Sequence, residues 1–91
     1  MTKAVQILIN GKVQGVWFRK STKQQAEQLK IKGTVQNLND GRVKVQAVGE
    51  LENLDRFIAW LKVGPQYAKV ESISIHDIDP PNAYVSFEII R

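Results

Sequence analysis

The order in which two hydrophobic periods follow one another constrains this chain more than any other feature. Val5, Ile7 and Ile9 recur at every second residue, so a half-buried strand is expected from about Lys3 to Asn10. The period then lengthens. Phe18, Thr22, Ala26 and Leu29 fall on one face of a helix whose other face carries Lys20, Lys23, Gln24, Glu27 and Gln28. Gly33 is its expected terminator, and Glu27 is the expected surface partner of Lys23, four residues earlier. Two alternating stretches come next, Thr34 to Leu38 and Val43 to Val48, joined by Asn39-Asp40-Gly41-Arg42. Asp-Gly between alternating runs is a strong hairpin signal because both residues tolerate positive φ, so these strands are expected to pair antiparallel.

Leu51, Leu54, Phe57, Ile58 and Leu61 return to three- and four-residue steps, which predicts a second helix stopped by Gly64-Pro65. Phe57 and Trp60 sit on or near its apolar stripe and are expected in the core, while Glu50, Glu52 and Asp55 suit the positive end of its dipole. A strand from about Tyr67 to Ile75 follows, and its apolar phase slips between Val70 and Ile73, where a bulge is expected. After the breaker Asp79-Pro80-Pro81-Asn82, Tyr84 to Ile90 alternates with Val85, Phe87 and Ile89 on the buried side. The order βαββαβ, with a short final strand, is that of an α+β ferredoxin-like sandwich, two helices on one face of an antiparallel sheet. With 91 residues, 43% of them apolar, residues 1–91 are expected to form one domain around one core.

Cysteine is absent, which excludes a disulfide scaffold, a thiolate metal site and a cysteine nucleophile. No apolar run approaches the roughly 20 residues that cross a bilayer, and the N-terminus lacks a secretory pattern, so a cytoplasmic protein is expected. Charge is uneven. Met1 to Gly49 carries nine basic and two acidic residues, and Glu50 to Arg91 four basic and seven acidic. The first half therefore attracts anions, whether nucleic acid, an acidic membrane or a small phosphorylated metabolite. His76 with Asp77 and Asp79 is a weak metal pattern and is expected to be a solvated loop.

The segment Gly11-Lys12-Val13-Gln14-Gly15-Val16-Trp17-Phe18-Arg19 combines three features that suit an anion. Glycines let backbone N–H groups turn toward one point, a helix start adds unpaired donors, and Arg19 supplies a guanidinium fork. The alternative is an ordinary glycine turn with a solvated arginine. Neither the Walker pattern nor the dinucleotide fingerprint is present. Asn37 shares the strand phase of Val35 and is therefore expected on the helix-covered face, where an amide needs a partner or a task. It either reaches the same end of the sheet as Arg19 or caps a loop near the hairpin.

These residues, with Gly33-Thr34-Val35-Gln36-Asn37, Asp40-Gly41, Gly64-Pro65, Ala68 and Val70, closely resemble the signature of the acylphosphatase family over nearly the whole chain. The resemblance implies a metal-independent hydrolase with no cofactor, which cleaves the carboxyl–phosphate bond of a small acyl phosphate and is inhibited by its product, inorganic phosphate. It places Arg19 and Asn37 at the family's catalytic positions. By implication, Gln14, Gly15, Val16, Trp17, Phe18 and Arg19 hold the phosphate, Gly11 and Gly15 shape the cradle, and the enzyme is a monomer. Thr34, Lys30 and Trp17 depart from common members of the family, at an often aromatic position, a common glycine, and a position often glycine or another aromatic. Those departures bear on substrate preference and stability.

Two rivals belong to other classes. A basic ferredoxin-like module could bind single-stranded RNA without catalysis, but the central strands Val35 to Leu38 and Val43 to Val48 carry none of the aromatics such modules present. A carbamoyl-phosphate-handling or interaction domain of the same fold, as at the N-terminus of larger hydrogenase-maturation proteins, is the other, and from a chain of this length it is not the expected reading.

Overall fold

The computed structural model describes residues 1–80 and 84–91; Pro81 and Asn82 of the expected breaker lie outside the described residues. The elements are β1 (Thr2–Lys12), α1 (Phe18–Gln28), β2 (Lys32–Asn37), β3 (Val43–Glu50), α2 (Leu51–Val63), β4 (Lys69–Asp77) and β5 (Phe87–Ile90). They form one sheet in the order β4-β1-β3-β2-β5. β1 pairs antiparallel with β3 and β4, and β2 pairs antiparallel with β3. The edge differs from expectation. β5 lies parallel to β2, with Gly33 opposite Phe87, so the sheet is mixed. The chain reverses after β4 and so runs back in the direction of β1 and β2, which makes any docking against β2 parallel.

Strand periodicity decides which face is covered. Val5, Ile7 and Ile9 of β1, Val35 of β2 and Val43, Val45 and Ala47 of β3 are all buried. Phe18, Thr22 and Ala26 of α1 and Leu54, Phe57 and Leu61 of α2 close over them. Phe57 meets Phe87 edge to face at 5.9 Å, and Trp60 packs its ring 6.1 Å from that of Phe18. Each fully buried side chain of this kind contributes about 1.5–3 kcal/mol relative to exposure.

Local geometry corrects several expectations. α1 ends at Gln28, and Gly33 lies within β2. The terminator is Lys30, at φ 57, where the N–H groups of Lys30 and Ile31 reach back to the carbonyls of Glu27 and Ala26 at 3.3 and 2.8 Å. That is the left-handed stop usually filled by glycine. Lys23 pairs with Glu88 on β5 at 3.7 Å, not with Glu27, because the parallel edge strand brings a carboxylate under α1. β5 starts later than Tyr84. Val85 is 85% exposed because pairing with β2 begins only at Phe87.

The phase slip in β4 is a bulge. Asn10 pairs with Ser72 and Gly11 with Val70, leaving Glu71 as the extra residue. His76 belongs to β4 rather than a loop, opposite Gln6, and is exposed. The β2–β3 hairpin closes with Leu38 N–H donating to the Arg42 carbonyl at 2.8 Å. Only Gly41 of the Asp-Gly pair takes a positive φ; the Asp40 carboxylate instead accepts from the backbone N–H and the Nε of Arg42.

Candidate active site

The connection from β1 to α1 is anchored at two points, Val13 and Val16, both buried. Between and after them the backbone changes hand. Gly15 has φ 73 and Trp17 φ 64, while Val16 between them does not enter the positive region. Alternation of hand turns successive N–H groups to one side, which is how a backbone makes an anion nest. Trp17 is also the residue before α1, and its carbonyl accepts the first helical bond from Ser21 at 3.0 Å. Among the described residues no side chain caps this helix, and no acidic residue occupies its first turn. The N–H groups from Gly15 to Lys20 accordingly find no protein acceptor among the described residues.

Sequence places glycine at position 15, where a left-handed turn requires it, and tryptophan at position 17, where the same turn strains it by roughly 1–3 kcal/mol. Gly11 has a different task from the one expected. It lies in β1 beside the bulge, where a Cβ would stand 2.1 Å from the Lys69 carbonyl oxygen, so it seats the strand rather than lining the nest.

A cleft of about 270 Å³ opens here, lined by Gly15, Trp17, Phe18 and Arg19. Arg19 is half-buried and, among the described residues, makes no hydrogen bond or ion pair, so its five donors are uncommitted. A second cleft of about 250 Å³ is lined by Trp17, Arg19, Lys20, Ile89 and Arg91. Positive charge thus surrounds an uncapped helix start, and both favour an anion.

Asn37 is the last residue of β2, half-buried and opposite Val43. Its Oδ1 is buried and, among the described residues, has no partner. It does not line the cleft itself. A tether brings its end of β2 to the nest: the Gln14 side-chain amide donates to the carbonyls of Leu38 and Arg42 at 2.8 and 2.9 Å. Gln14 precedes Gly15 and Leu38 follows Asn37, so this one side chain joins the two halves of the site. No sequence signal points to this tether, because nothing in the local pattern indicates which carbonyls a loop amide will find. Val16 turns its side chain into the core and offers the site only backbone. Among the described residues no three His, Asp or Glu side chains converge as a metal site would need.

An open-faced α+β sandwich whose first helix starts with uncapped N–H groups beside Arg19 is of the ferredoxin-like class and offers an anion favourable surroundings. The acylphosphatase family model matches residues 5–89. An acylphosphatase of Legionella pneumophila (strain Corby) is 45% identical over 92 residues, covering 99% of this chain and 100% of the relative. The solved acylphosphatase of Coxiella burnetii superposes with a TM-score of 0.93 at 34% identity, over 98% of this chain and 93% of that one. The crystal structure of the Bacillus subtilis acylphosphatase gives 0.93 at 33% identity, with both chains fully covered. The chain belongs to the acylphosphatase family, enzymes that hydrolyse acyl phosphates.

Proposed function

We propose that residues 1–91 act as a single-domain, metal-independent acylphosphatase in which the nest and Arg19 hold the phosphoryl group and Asn37 positions the attacking water. The observation that carries this reading is the alternation of backbone hand at Gly15 and Trp17 beside an uncommitted guanidinium. Phosphoryl transfer needs charge gathered on the equatorial oxygens and a nucleophile held in line, and little else. Backbone N–H groups from Gly15 onward and the Arg19 fork supply the first.

The leaving group lightens the task. A carboxylate is the conjugate base of an acid of pKa about 4–5 and departs without protonation, so no general acid is required. Water forms a bond to phosphorus, the bridging P–O bond breaks with its electron pair going to the carboxylate, and the proton released by water ends on the phosphate. The Asn37 amide suits the water because it both accepts and donates without setting a negative charge beside a phosphate dianion. The Gln14 tether supports that role by fixing the distance between this end of β2 and the nest.

The reading extends to a monomer in the cytoplasm, since activated carboxyl phosphates arise from phosphoryl transfer inside cells, and to inorganic phosphate as a competitive product inhibitor. Hydrolysis of a synthetic aryl acyl phosphate, with and without chelator, tests it. Turnover that resists chelator and is suppressed by phosphate is the expected result. No turnover, together with salt-dependent binding of a labelled RNA, would replace the enzyme with a binding module.

A further inference from the structure

The indole ring of Trp17 is the part of the site that phosphate binding leaves unexplained. The nest needs a left-handed residue at this position, and glycine adopts φ 64 without hindrance whereas tryptophan does not. Trp17 as a whole is 72% exposed, so burial in the core does not offset the strain. With Arg19 it lines both clefts, one completed by Gly15 and Phe18, the other by Lys20, Ile89 and Arg91. Lys20 Nζ lies over the ring at 5.8 Å from its centroid, and the residue still shows most of its surface to solvent.

We propose that Trp17 is the platform for the acyl group and makes the enzyme selective for acyl phosphates whose acyl part is aromatic or flat and apolar. The inference rests on the acyl-phosphate reading above and extends it to the other half of the substrate. One bridging oxygen separates phosphorus from the carbonyl carbon. A phosphoryl group seated in the nest therefore leaves the acyl group at the rim, where the ring lines the same cleft. An aryl group presents a plane that stacks on indole with centroids about 4.5–7 Å apart. An acetyl group presents one methyl and gains little.

The test is a comparison of KM for benzoyl phosphate and acetyl phosphate in the wild type, Trp17→Gly, Trp17→Asn and Trp17→Phe. Glycine and asparagine both tolerate the left-handed backbone, so folding is preserved, and the inhibition constant of inorganic phosphate measures what each change does to the nest itself. The KM for benzoyl phosphate divided by that for acetyl phosphate, a ratio in which a change to the nest alone cancels, is expected to rise about 3- to 10-fold in the glycine and asparagine variants and to be restored by phenylalanine. A ratio unchanged by all three substitutions, with both substrates turned over, overturns the platform and leaves the acyl-phosphate reading standing. A wild type that prefers an acyl phosphate with a distal carboxylate, by a margin indifferent to Trp17, overturns it equally and transfers acyl recognition to Lys20 and Arg91. Failure of the wild type to hydrolyse any of these substrates counts against the underlying reading as well.

Discussion

The side-chain amide of Gln14 spans the gap between the phosphate nest and the β2–β3 hairpin, donating to the carbonyl of Leu38 at 2.8 Å and sharing its other N–H with that of Arg42 at 2.9 Å. Both bonds are partly buried, and removing the donors leaves each carbonyl with only its turn partner, the N–H of Gly41 on Leu38 and that of Leu38 on Arg42. Gln14→Met keeps the length and loses the bonds. It is expected to cost about 1–3 kcal/mol, seen as a fall in Tm, and to lower kcat more than it raises KM. Gln14→Glu turns an acceptor toward two acceptors and is expected to be worse on both counts. A variant with wild-type kcat would show that the tether is structural only.

Arg19 gives a different signature. Its guanidinium bonds nothing else among the described residues, so Arg19→Gln is expected to leave Tm nearly unchanged. Loss of a contact made to the phosphoryl oxygens should cut kcat/KM by about 10²–10³ and weaken phosphate inhibition in parallel. Arg19→Lys is expected to rescue little, since a point charge does not reproduce a planar two-pronged donor. Steady-state kinetics with phosphate as inhibitor decides it.

Asn37 should separate rate from binding. With the amide removed in Asn37→Ala, kcat is expected to fall about 10²-fold while the phosphate inhibition constant barely moves. Stability should hold or rise slightly, because a buried oxygen without a partner is a cost to the fold rather than a support. A folded Asn37→Ala enzyme with full turnover removes the water-positioning role.

What the amino-acid sequence discloses of this fold is what neighbours in the chain decide. The hairpin at Asn39 to Arg42 and the bulge in β4 are local, one written in Asp-Gly and the other in the slipped phase of Val70 and Ile73. The phase shared by Val35 and Asn37 likewise places the amide on the helix-covered side. The parallel seating of β5 depends on which sheet edge is open once the others have paired, and no local pattern carries that. Lys23 could not be assigned to Glu88 without it. Gly33 drew the helix end three residues too far because glycine usually marks such stops, whereas here Lys30 turns the chain and Gly33 pairs with Ala47. The nest was legible as glycine spacing, but the left-handed Trp17 was not, because tryptophan is among the last residues expected there.

Lys30 offers a stability test away from the chemistry. It holds φ 57 at the end of α1, with both reverse bonds of the helix stop in place. Glycine meets the same backbone without Cβ strain, so Lys30→Gly is expected to stabilise by about 0.5–1 kcal/mol, net of glycine's greater freedom when unfolded. In a chain of this size that raises Tm by roughly 2–8 °C. Turnover should be unaffected, since Lys30 lines neither cleft beside Arg19. Lys30→Ala, which keeps the Cβ, should not reproduce the gain.

Asp40 ties stability to acid. The backbone N–H of Arg42, then its guanidinium, hold the Asp40 carboxyl below its ordinary value of 3.8. A carboxyl whose folded value is depressed contributes stability that is present above the unfolded value and is lost as pH falls through the folded one. Asp40→Ser keeps a short acceptor for the Arg42 N–H and removes the charge. Melting curves across about pH 2–7 should therefore show the wild type more stable than Asp40→Ser above about pH 4, the two converging as pH falls below it. The group is fully exposed, so the gap should narrow with added salt. Because the Arg42 carbonyl is also an acceptor for Gln14, kcat of the wild type should decline over the same acidic range in which the gap closes. A gap that persists at pH 2 would place the effect of Asp40→Ser in the turn's backbone and not in its charge.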